Sequence, residues 1–400
     1  MSLVALKINV MQKISDNIYY IGVNDEKKGL FEGLWPLHFG VSYNSYLIVD
    51  AKVALIDTVD KGCEEEFLDN INGVIGDRLI DYLVVNHMEP DHSSLIAYMM
   101  ERYPKLKVVA CSKAVPMLKG YYGVEECRMI VVGEGDTLSL GNTELSFHMI
   151  PMVHWPETMV TWLPEQNTIF SGDAFGSFGS LGEDVVDTGD TFEHYRDEMI
   201  RYYSNIVGKY GVPVQSALKK IAAFPIKRIC STHGPVWEKE LSEVVDLYDR
   251  LSRYEAERGV CIVCGSMYGN TAAAAEALAL EVELRGVPCV LHELPGITGI
   301  SSALRDVFKF DTLVVGSPTY NNGIFPPVDA FMRAVQSRLV KGRRFYAFGS
   351  YTWSPASVNL LNQIAGSMGY KILGDGLAFP QAYSREKFDA AAIADLICNY

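Results

Sequence analysis

The 400-residue chain is predicted to fold into two domains, an α+β layered domain followed by an α/β domain with a doubly wound, five-stranded parallel sheet. Three observations support this prediction. The length is enough for two or three domains. The first part of the chain mixes strand pairs with helices, whereas strands and helices alternate strictly from Gly259 onward. Apolar residues make up 48% of the chain and charged residues 21%, as is usual for a globular protein.

The first domain begins with strand pairs. Residues 43–49 and 53–58 are β-rich runs separated by Asp50-Ala51-Lys52, a pattern that predicts a hairpin. Further strands are predicted at 79–85, 107–111, 129–132, 145–150, 158–163, 168–170 and 228–230, with helices at 93–102 and 195–209. Hairpins with interleaved helices are typical of an α+β layered domain.

The second domain repeats one unit five times. Strands are predicted to start near Val260, Pro288, Thr312, Arg343 and Lys371, and helices to cover 272–284, 301–308, 327–339, 356–368 and 385–398. Repeated strand–helix units of this kind form open parallel sheets. A polar stretch at 253–258 precedes the first strand, so we predict domains at 1–256 and 257–400.

Charge and cysteine usage limit the partners and the compartment. The chain has 35 Lys and Arg against 49 Asp and Glu, and a net charge of −14 repels phosphate backbones. We therefore expect no nucleic-acid partner. No apolar run reaches the ~18 residues of a membrane span, and residues 1–11 lack a leader pattern. The eight cysteines are scattered, which is typical of thiols in a reducing compartment, so we predict a cytoplasmic protein without a membrane partner.

A short polar loop carries the strongest chemical signal. The sequence His87-Met88-Glu89-Pro90-Asp91-His92 directly follows the predicted strand at 79–85. Its two imidazoles and two carboxylates can converge on one point, and Pro90 restricts the backbone of the loop. A solvated surface loop is the alternative, but this spacing is improbable by chance. The pattern therefore favours a metal site.

This loop resembles the metal-binding loop of the metallo-β-lactamase fold, whose usual pattern is His-x-His-x-Asp-His. The resemblance implies that the first domain is a metallo-β-lactamase-like αβ/βα sandwich with three further ligands downstream. His154, Asp173 and His233 are the candidates, each at the end of a predicted strand. His148 is a rival for the position of His154, which we prefer because it opens a loop.

Glu89 stands where hydrolases of this fold have their second histidine. Zinc favours nitrogen and sulfur ligands, whereas a mixed His and carboxylate set with a bridging carboxylate suits a non-haem di-iron centre. The loop therefore resembles that of the flavodiiron branch of the fold. That resemblance implies seven ligands, which are also the expected catalytic residues: one iron is held by His87, Glu89 and His154, the other by Asp91, His92 and His233, with Asp173 bridging.

Several other residues have less defined roles. In flavodiiron proteins a loop near residues 35–40 can reach the substrate pocket, and Glu32 or His38 could occupy it, although a plain surface loop is an equal alternative. Three tyrosines could place a phenol beside the ligands, but core packing is favoured: Tyr195, Tyr202 and Tyr203. His194 and His292 are expected to be surface residues or satisfied core residues.

The second domain opens with a candidate phosphate site. Gly265-Ser266-Met267-Tyr268-Gly269-Asn270-Thr271 lies between a predicted strand and an Ala-rich helix. Hydroxyls, an amide and free N–H groups at a helix N-terminus can bind a phosphate. The Gly-Lys-Ser/Thr of triphosphate loops and the Gly-x-Gly-x-x-Gly of dinucleotide sites are both absent from this segment, so a monophosphate fits best.

Within five strand–helix units this segment resembles the FMN phosphate loop of flavodoxins. Loops after the third and fourth strands stand where flavodoxins enclose the flavin ring. The predicted FMN-binding residues are Ser266, Met267, Tyr268, Gly269, Asn270, Thr271, Pro318, Thr319, Tyr320, Asn321, Gly323, Ser350, Tyr351, Thr352 and Trp353. Tyr320, Tyr351 or Trp353 could stack on the ring, with ordinary loop packing as the alternative.

Cys261 and Cys264 form a Cys-x-x-Cys pair, a spacing that often indicates a redox or metal site. Here the pair lies inside a predicted strand, where positions three apart point to opposite faces. We therefore expect two buried packing thiols.

Taken together, the chain resembles a flavodiiron protein of the minimal two-domain type. The resemblance implies an oxidoreductase that passes electrons from an external donor, rubredoxin or reduced deazaflavin, through FMN to a di-iron site. Its gas substrate is dioxygen, reduced to water, nitric oxide, reduced to nitrous oxide, or both. It also implies a head-to-tail homodimer, with a tetramer as a further option.

Two other functions are considered. One is a zinc hydrolase with an accessory flavodoxin-like domain, against which Glu89 argues. The other is a non-catalytic electron carrier, which would retain clustered carboxylates and imidazoles at a cost in free energy without using them.

Overall fold

The computed structural model describes residues 11–295 and 299–399, which form two compact units. The first unit comprises Met1–Tyr202 and Val212–Asp249, and the second comprises Tyr203–Gly211 and Arg250–Tyr400, within the described ranges. The short segment Tyr203–Gly211 therefore packs with the second unit, which the sequence does not predict. Residues 1–10 lie outside the described residues. They belong to the N-terminal stretch that is predicted to lack a leader pattern.

The first unit contains a seven-stranded sheet. In spatial order its strands are Gln12–Lys13, Ile18–Tyr20, Tyr46–Val49, Val53–Ile56, Tyr82–Val84, Lys107–Cys111 and Met129–Val132. Tyr46–Val49 and Val53–Ile56 pair antiparallel, as the predicted hairpin requires. The last four strands run parallel to one another. The loop that holds His87 follows one of these buried central strands.

A five-stranded sheet completes the layered core of this unit. Its strands, in spatial order, are Thr137–Ser139, Glu144–Met149, Met159–Leu163, Thr168–Gly172 and Arg228–Ser231. The ring centroids of Tyr46 and Phe170 lie 5.3 Å apart, so side chains of the two sheets meet in the core. Two small two-stranded sheets pair Val23–Asp25 with Val41–Tyr43 and Leu30–Phe31 with Trp35–Pro36.

Helices surround these sheets. The helices that begin in this unit are Glu64–Ile75, Pro90–Ser93, Ile96–Arg102, Val115–Tyr122, Thr191–Tyr202 and Leu241–Ser252, and Gly211–Ile221 starts at its border, with short 3-10 turns at Glu126–Arg128 and Pro164–Gln166. The predicted αβ/βα sandwich is thus confirmed. The helix predicted at 195–209 begins earlier and ends at Tyr202, because the backbone widens into a π-helical turn at Tyr203–Val207, followed by a 3-10 turn at Gly208–Tyr210.

The second unit is the predicted doubly wound parallel sheet. Its strands, in spatial order, are Cys289–Leu294, Glu257–Gly265, Phe310–Gly316, Arg344–Tyr351 and a last position shared by Lys371–Ile372 and Leu377–Pro380. The helices are Asn270–Leu284, Gly299–Lys309, Pro326–Ser337, Ala356–Ser367 and Ala390–Cys398, and a small hairpin joins Thr319–Tyr320 to Gly323–Ile324. The order 2-1-3-4-5 is that of flavodoxin-like sheets.

Two details of this unit differ from the prediction. The fifth strand is split because Gly374 and Gly376 adopt positive φ angles of 68° and 80° between its two pieces. A Cβ at position 376 would lie 2.5 Å from the Ala347 carbonyl oxygen, so the chain passes very close to the fourth strand there. The helix predicted at 385–398 begins only at Ala390, where Asp389 accepts a hydrogen bond from the Ala392 N–H and ends the preceding turn.

Cys261 and Cys264 lie on the central strand Glu257–Gly265 and are fully buried free thiols. Cys264 belongs to the apolar core beneath Asn270–Leu284 and Ala390–Cys398, whereas Cys261 lies near Asp306 on the opposite face. Burial raises the pKa of Cys264 to about 12. This arrangement agrees with the expected packing role. Among the described residues, no helix is both long and apolar enough to cross a membrane.

Candidate functional site

The first unit brings four predicted ligands to one point. His87, Glu89, His154 and Asp173 are buried, and each offers a donor atom within 4.8 Å of the others. Glu89 Oε2 lies 3.3 Å from His87 Nε2 and 3.0 Å from His154 Nε2. Asp173 Oδ2 lies 3.0 Å from the same His154 nitrogen. Strand ends and connecting loops of both sheets therefore supply one candidate metal group.

The remaining three predicted ligands form a second group. Asp91, His92 and His233 are buried, and their donor atoms also lie within 4.8 Å of one another. Asp91 Oδ2 is 3.2 Å from Nε2 of each histidine. Asp173 reaches this group with its other oxygen, because Oδ1 is 3.1 Å from His92 Nε2. A single carboxylate thus faces both groups.

Carboxylates and imidazoles of opposite charge lie close together in this site, and they shift one another's pKa values. Burial alone would lower the pKa of His154, but its hydrogen bonds to Asp173 and Glu89 raise it to about 9. Burial alone would likewise raise the pKa of Asp91, yet His92 and His233 hold it below its ordinary value. The pKa values of His87 and His92 are also raised, because carboxylates offset their desolvation. The site therefore stabilises charged ligands despite its burial.

Several of the possible metal-binding atoms have no hydrogen-bond partner, as expected if they bind a metal ion instead. Both oxygens of Asp91, both ring nitrogens of His92 and Nε2 of His233 are buried without a hydrogen-bond partner in the described chain. Asp91 Oδ2 lies 3.2 Å from Nε2 of both histidines, but these atoms do not align as donor and acceptor. Leaving such atoms unpaired is costly. A metal ion held by Asp91, His92 and His233 would satisfy those that face one another.

Residues outside the predicted ligand set hold the ligands in place. Asp57 accepts hydrogen bonds from the Asn86 backbone N–H at 2.7 Å and from its side-chain amide at 3.0 Å, which fixes the start of the ligand loop. Burial raises the pKa of Asp57 to about 6. His233 Nδ1 donates to the Ser42 carbonyl oxygen at 2.7 Å, so Nε2 faces the site. Sequence reasoning did not identify these supports, because a lone Asp or Ser after a strand is too common to stand out.

Glu157 is a further residue absent from the predicted set. Its Oε1 accepts hydrogen bonds from His87 Nδ1 at 2.9 Å and from the Met88 backbone N–H at 3.0 Å. Burial would raise the pKa of Glu157, but the bond from His87 lowers it below its ordinary value. The only available signal in the sequence was its position three residues after His154.

The loop that contains Glu32 and His38 lies partly at the site. The Glu32 carboxyl group accepts a 2.9 Å hydrogen bond from Trp35 Nε1, and burial together with neighbouring Glu89 raises its pKa to about 7. Phe31 packs against His233 with ring centroids 5.3 Å apart. His38 is exposed. Of the two residues considered for the pocket, the structure places Glu32 beside a ligand.

The other histidines and tyrosines lie in different settings. His148 Nδ1 is paired with Glu134 at 3.0 Å, away from both ligand groups. His194 is exposed, and His292 is buried with Nε2 2.7 Å from Asp306. Tyr202 packs its ring 5.3 Å from that of His233. Tyr195 instead donates its hydroxyl to the Ser180 carbonyl oxygen, and Tyr203 packs against Phe308 in the second unit.

The second unit has a cleft at the carboxyl edge of its sheet. The cleft has a volume of about 380 Å³, within the range of cofactor sites. Thirteen of the fifteen predicted FMN-binding residues line it: Ser266, Met267, Tyr268, Asn270, Thr271, Pro318, Thr319, Tyr320, Asn321, Ser350, Tyr351, Thr352 and Trp353. Ser354 and Gln381 complete the lining. Gln381 directly follows the fifth strand. The sequence pattern did not indicate that this residue lines the cleft.

The two remaining predicted residues do not line the cleft. Gly269 has a φ of 83° and precedes the helix Asn270–Leu284, and its N–H donates to the Ser266 hydroxyl at 3.0 Å. Gly323 lies in the small hairpin beside the cleft. Thr271 is buried, and its hydroxyl is 2.9 Å from that of Ser350, so two hydroxyls meet at the helix N-terminus. Such a position suits a phosphate group.

Comparisons with known proteins agree with both units. The family model of the ODP family beta lactamase matches residues 41–234, and that of flavodoxin matches residues 262–393. The chain is 31% identical over 356 residues to a nitric oxide reductase of Moorella thermoacetica, covering 88% of each chain.

Two solved structures resemble the whole chain. Rubredoxin oxygen:oxidoreductase from the anaerobe Desulfovibrio gigas has a TM-score of 0.91 at 26% identity, covering 97% of this chain and 98% of that one. The flavodiiron protein from Giardia intestinalis has a TM-score of 0.90 at 28% identity, covering 97% and 96%.

The fold and the site define a two-domain oxidoreductase that combines a flavodoxin domain with a pair of metal-binding groups on a β-lactamase-like scaffold. The chain belongs to the flavodiiron protein family. This membership favours the oxidoreductase prediction over the zinc hydrolase alternative, and it implies FMN and a di-iron centre as cofactors.

Proposed function

We propose that this protein reduces dioxygen to water, nitric oxide to nitrous oxide, or both, with electrons that pass from an external donor through FMN to the di-iron site. The observation that carries the proposal is the single carboxylate of Asp173 facing two buried His and carboxylate groups, in a chain that also has a flavodoxin domain. The names of the Moorella and Desulfovibrio relatives support both gases.

The same geometry supports the assignment of the iron ligands. We assign one iron to His87, Glu89 and His154, the other to Asp91, His92 and His233, and the bridge to Asp173. These seven residues are the proposed catalytic residues. When bound, the iron pair would supply the redox chemistry that reduces the gas. The protein side chains keep the site buried and provide the negative charges that the metals require.

Glu89 distinguishes this ligand set from that of a hydrolase. Its Oε2 lies within 3.3 Å of two imidazole nitrogens, where a second histidine would provide a neutral ligand. Three carboxylates and four imidazoles give the pair of metals an anionic, oxygen-rich environment, which suits iron that changes oxidation state. The acidic ligand therefore supports iron over zinc.

We assign FMN to the cleft of the second unit. The hydroxyls of Ser266 and Thr271 and the start of the helix Asn270–Leu284 would hold the phosphate. No charged residue lines the cleft in the described chain, so hydroxyls and N–H groups would do the binding. Tyr320, Tyr351 and Trp353 are available to contact the flavin ring.

We further propose a head-to-tail homodimer, or a tetramer that consists of two such dimers. Tyr268 and Trp353, at the edge of the cleft, are 89% and 80% exposed. On the first unit, Leu34 and Phe39 are 60% and 68% exposed in the loop next to Glu32. Two exposed apolar patches, one at each site, are what a contact between the flavin of one subunit and the metal site of another would use.

The donor and the compartment complete the proposal. A reduced rubredoxin, named in the Desulfovibrio relative, or a reduced deazaflavin would deliver electrons to FMN. All eight cysteines are free, which supports a cytoplasmic location. We retain 1–256 and 257–400 as the proposed limits of the two domains.

Gas consumption under anaerobic control tests this function. The purified protein, reduced through rubredoxin and its reductase, is mixed with dioxygen or nitric oxide while both gases are followed with electrodes. We expect catalytic consumption of at least one gas, and its loss after iron is removed with a chelator. Consumption that is unchanged by iron removal, or no consumption of either gas by protein loaded with iron and FMN, would contradict the proposal.

A further inference from the structure

Glu157 contacts His87, a proposed iron ligand, at the ring nitrogen that faces away from the other ligands. Its Oε1 accepts a 2.9 Å hydrogen bond from His87 Nδ1, while His87 Nε2 faces Glu89 at 3.3 Å. The whole Glu157 residue is 2% exposed, and His87 is completely buried. The imidazole is therefore held between an outer and an inner carboxylate.

Several contacts fix Glu157 in this position. The Met88 N–H donates to the same Oε1, and Cys111 Sγ donates to the Glu157 backbone oxygen at 3.0 Å. The Trp155 ring packs edge-on against the His87 ring, with centroids 5.3 Å apart. The second carboxylate oxygen, Oε2, is buried and has no hydrogen-bond partner in the described residues. Because such an oxygen costs free energy, folding alone does not explain why a carboxylate is retained there.

The other three ligand histidines lack this arrangement. His233 donates Nδ1 to a neutral carbonyl oxygen, that of Ser42. His92 Nδ1 has no hydrogen-bond partner in the part of the chain that is described. For His154, the hydrogen bonds found among the described residues involve Nε2. The outer carboxylate is thus confined to one of the two metal groups.

We propose that Glu157 is a positioning residue that makes the two metal sites unequal, by orienting His87 and strengthening metal binding in the group that contains Glu89. A carboxylate that accepts the Nδ1 proton fixes the tautomer of the ring and makes Nε2 a stronger ligand. In the group of Asp91, His92 and His233, no carboxylate among the residues with described positions accepts a hydrogen bond from a histidine Nδ1. This inference rests on the proposed di-iron function.

The test compares the two iron equivalents of the natural protein with those of Glu157→Gln. The glutamine keeps the shape and can accept from the Met88 N–H, but it carries no charge. Holoprotein is equilibrated anaerobically with increasing ferrous chelator, and iron per chain is measured at each step. We expect one equivalent to be lost at about 10–100-fold lower chelator in the variant, and the other to be unchanged.

Glu134→Gln is the matched control. Glu134 contacts His148 Nδ1 at 3.0 Å and accepts from the Met149 N–H at 2.9 Å, the same pair of contacts away from the ligands. We expect this variant to keep both iron equivalents. FMN content and circular dichroism show whether each variant is folded. If Glu157→Gln does not fold, Glu157→Asp, whose shorter side chain withdraws the carboxylate from Nδ1, must weaken the same single equivalent.

Two results would overturn the inference: retention of both equivalents in the folded variant, or equal weakening of both. Natural protein that holds no iron even after loading would instead contradict the proposed function, so the two failures are distinguishable.

Discussion

Asp173 holds one carboxylate oxygen 3.1 Å from Nε2 of His92, while its other oxygen contacts the opposite group of ligands. The residue directly follows the buried strand Thr168–Gly172, and the Thr232 hydroxyl donates to Oδ1 at 2.6 Å. The protein therefore holds this carboxylate between the two groups of ligands.

Replacement of Glu89 tests the acidic ligand. We expect Glu89→Ala to lower iron from about two to about one or fewer per chain, because one group loses the oxygen that faces two imidazoles. FMN content should not change. Metal analysis and flavin absorbance provide the measurement, with Glu134→Ala as the control for loss of a carboxylate beside a histidine. A variant with two irons and full turnover would show that the ligand assignment is wrong.

Metal binding should release protons. In the metal-free fold the raised pKa of His154, about 9 against an ordinary 6.5, stabilises the protein below pH 6.5, and this contribution is lost as pH rises through 9. His87 and His92 have raised pKa values as well. At about pH 7.5 we expect at least one proton, that of His154, to be released on loading, and less release above pH 9. Calorimetry in two buffers of different ionisation enthalpy measures this number, and a value near zero would contradict the predicted protonation.

The phosphate site can be tested without disturbing the metals. Thr271 is buried, so Thr271→Val removes a hydroxyl with little change of shape. A hydrogen bond to a charged group is worth about 1.5–3 kcal/mol, so FMN affinity should fall about 10–100-fold. Fluorescence titration of the flavin-free protein measures the change. Thr312→Val, a buried hydroxyl on the neighbouring strand Phe310–Gly316, should leave the affinity unaltered.

A charge at the edge of the cleft tests the proposed dimer. Trp353 is 80% exposed in one chain, and we expect a subunit contact to cover it. Trp353→Glu should shift the protein toward monomer and slow electron transfer from flavin to iron, because charged groups are disfavoured in the core of an interface. Sedimentation and stopped-flow reduction are the measurements, and Leu280→Glu on an exposed helix face is the control. Unchanged association would argue against a contact at this edge.

The sequence predicts much of this organisation because the decisive signals are local. The loop from His87 to His92 and the segment from Ser266 to Thr271 each place chemistry at a strand end, where few backbone arrangements are available. The three distant candidates also lie at the ligand groups, while the rival His148 pairs with Glu134.

Features set by tertiary contacts were not predictable. Glu157 and Asp57 act on residues far away in the chain, and no spacing rule connects them. The π-helical turn at Tyr203–Val207 and the split of the fifth strand also depend on close packing, since hydrophobic periodicity does not register a widened turn or a glycine with positive φ. The helix start at Ala390 was missed because the preceding residues are polar enough to continue a helix pattern.

The most direct test of the central claim is the metal and flavin content of protein purified without added metal. The ligand set predicts about two irons and one FMN per chain, since Asp173 joins two groups and one cleft suits one flavin. The account would be contradicted by about two zinc ions per chain, in protein that consumes neither dioxygen nor nitric oxide after loading with iron. Glu89 would then be a ligand in a zinc hydrolase site.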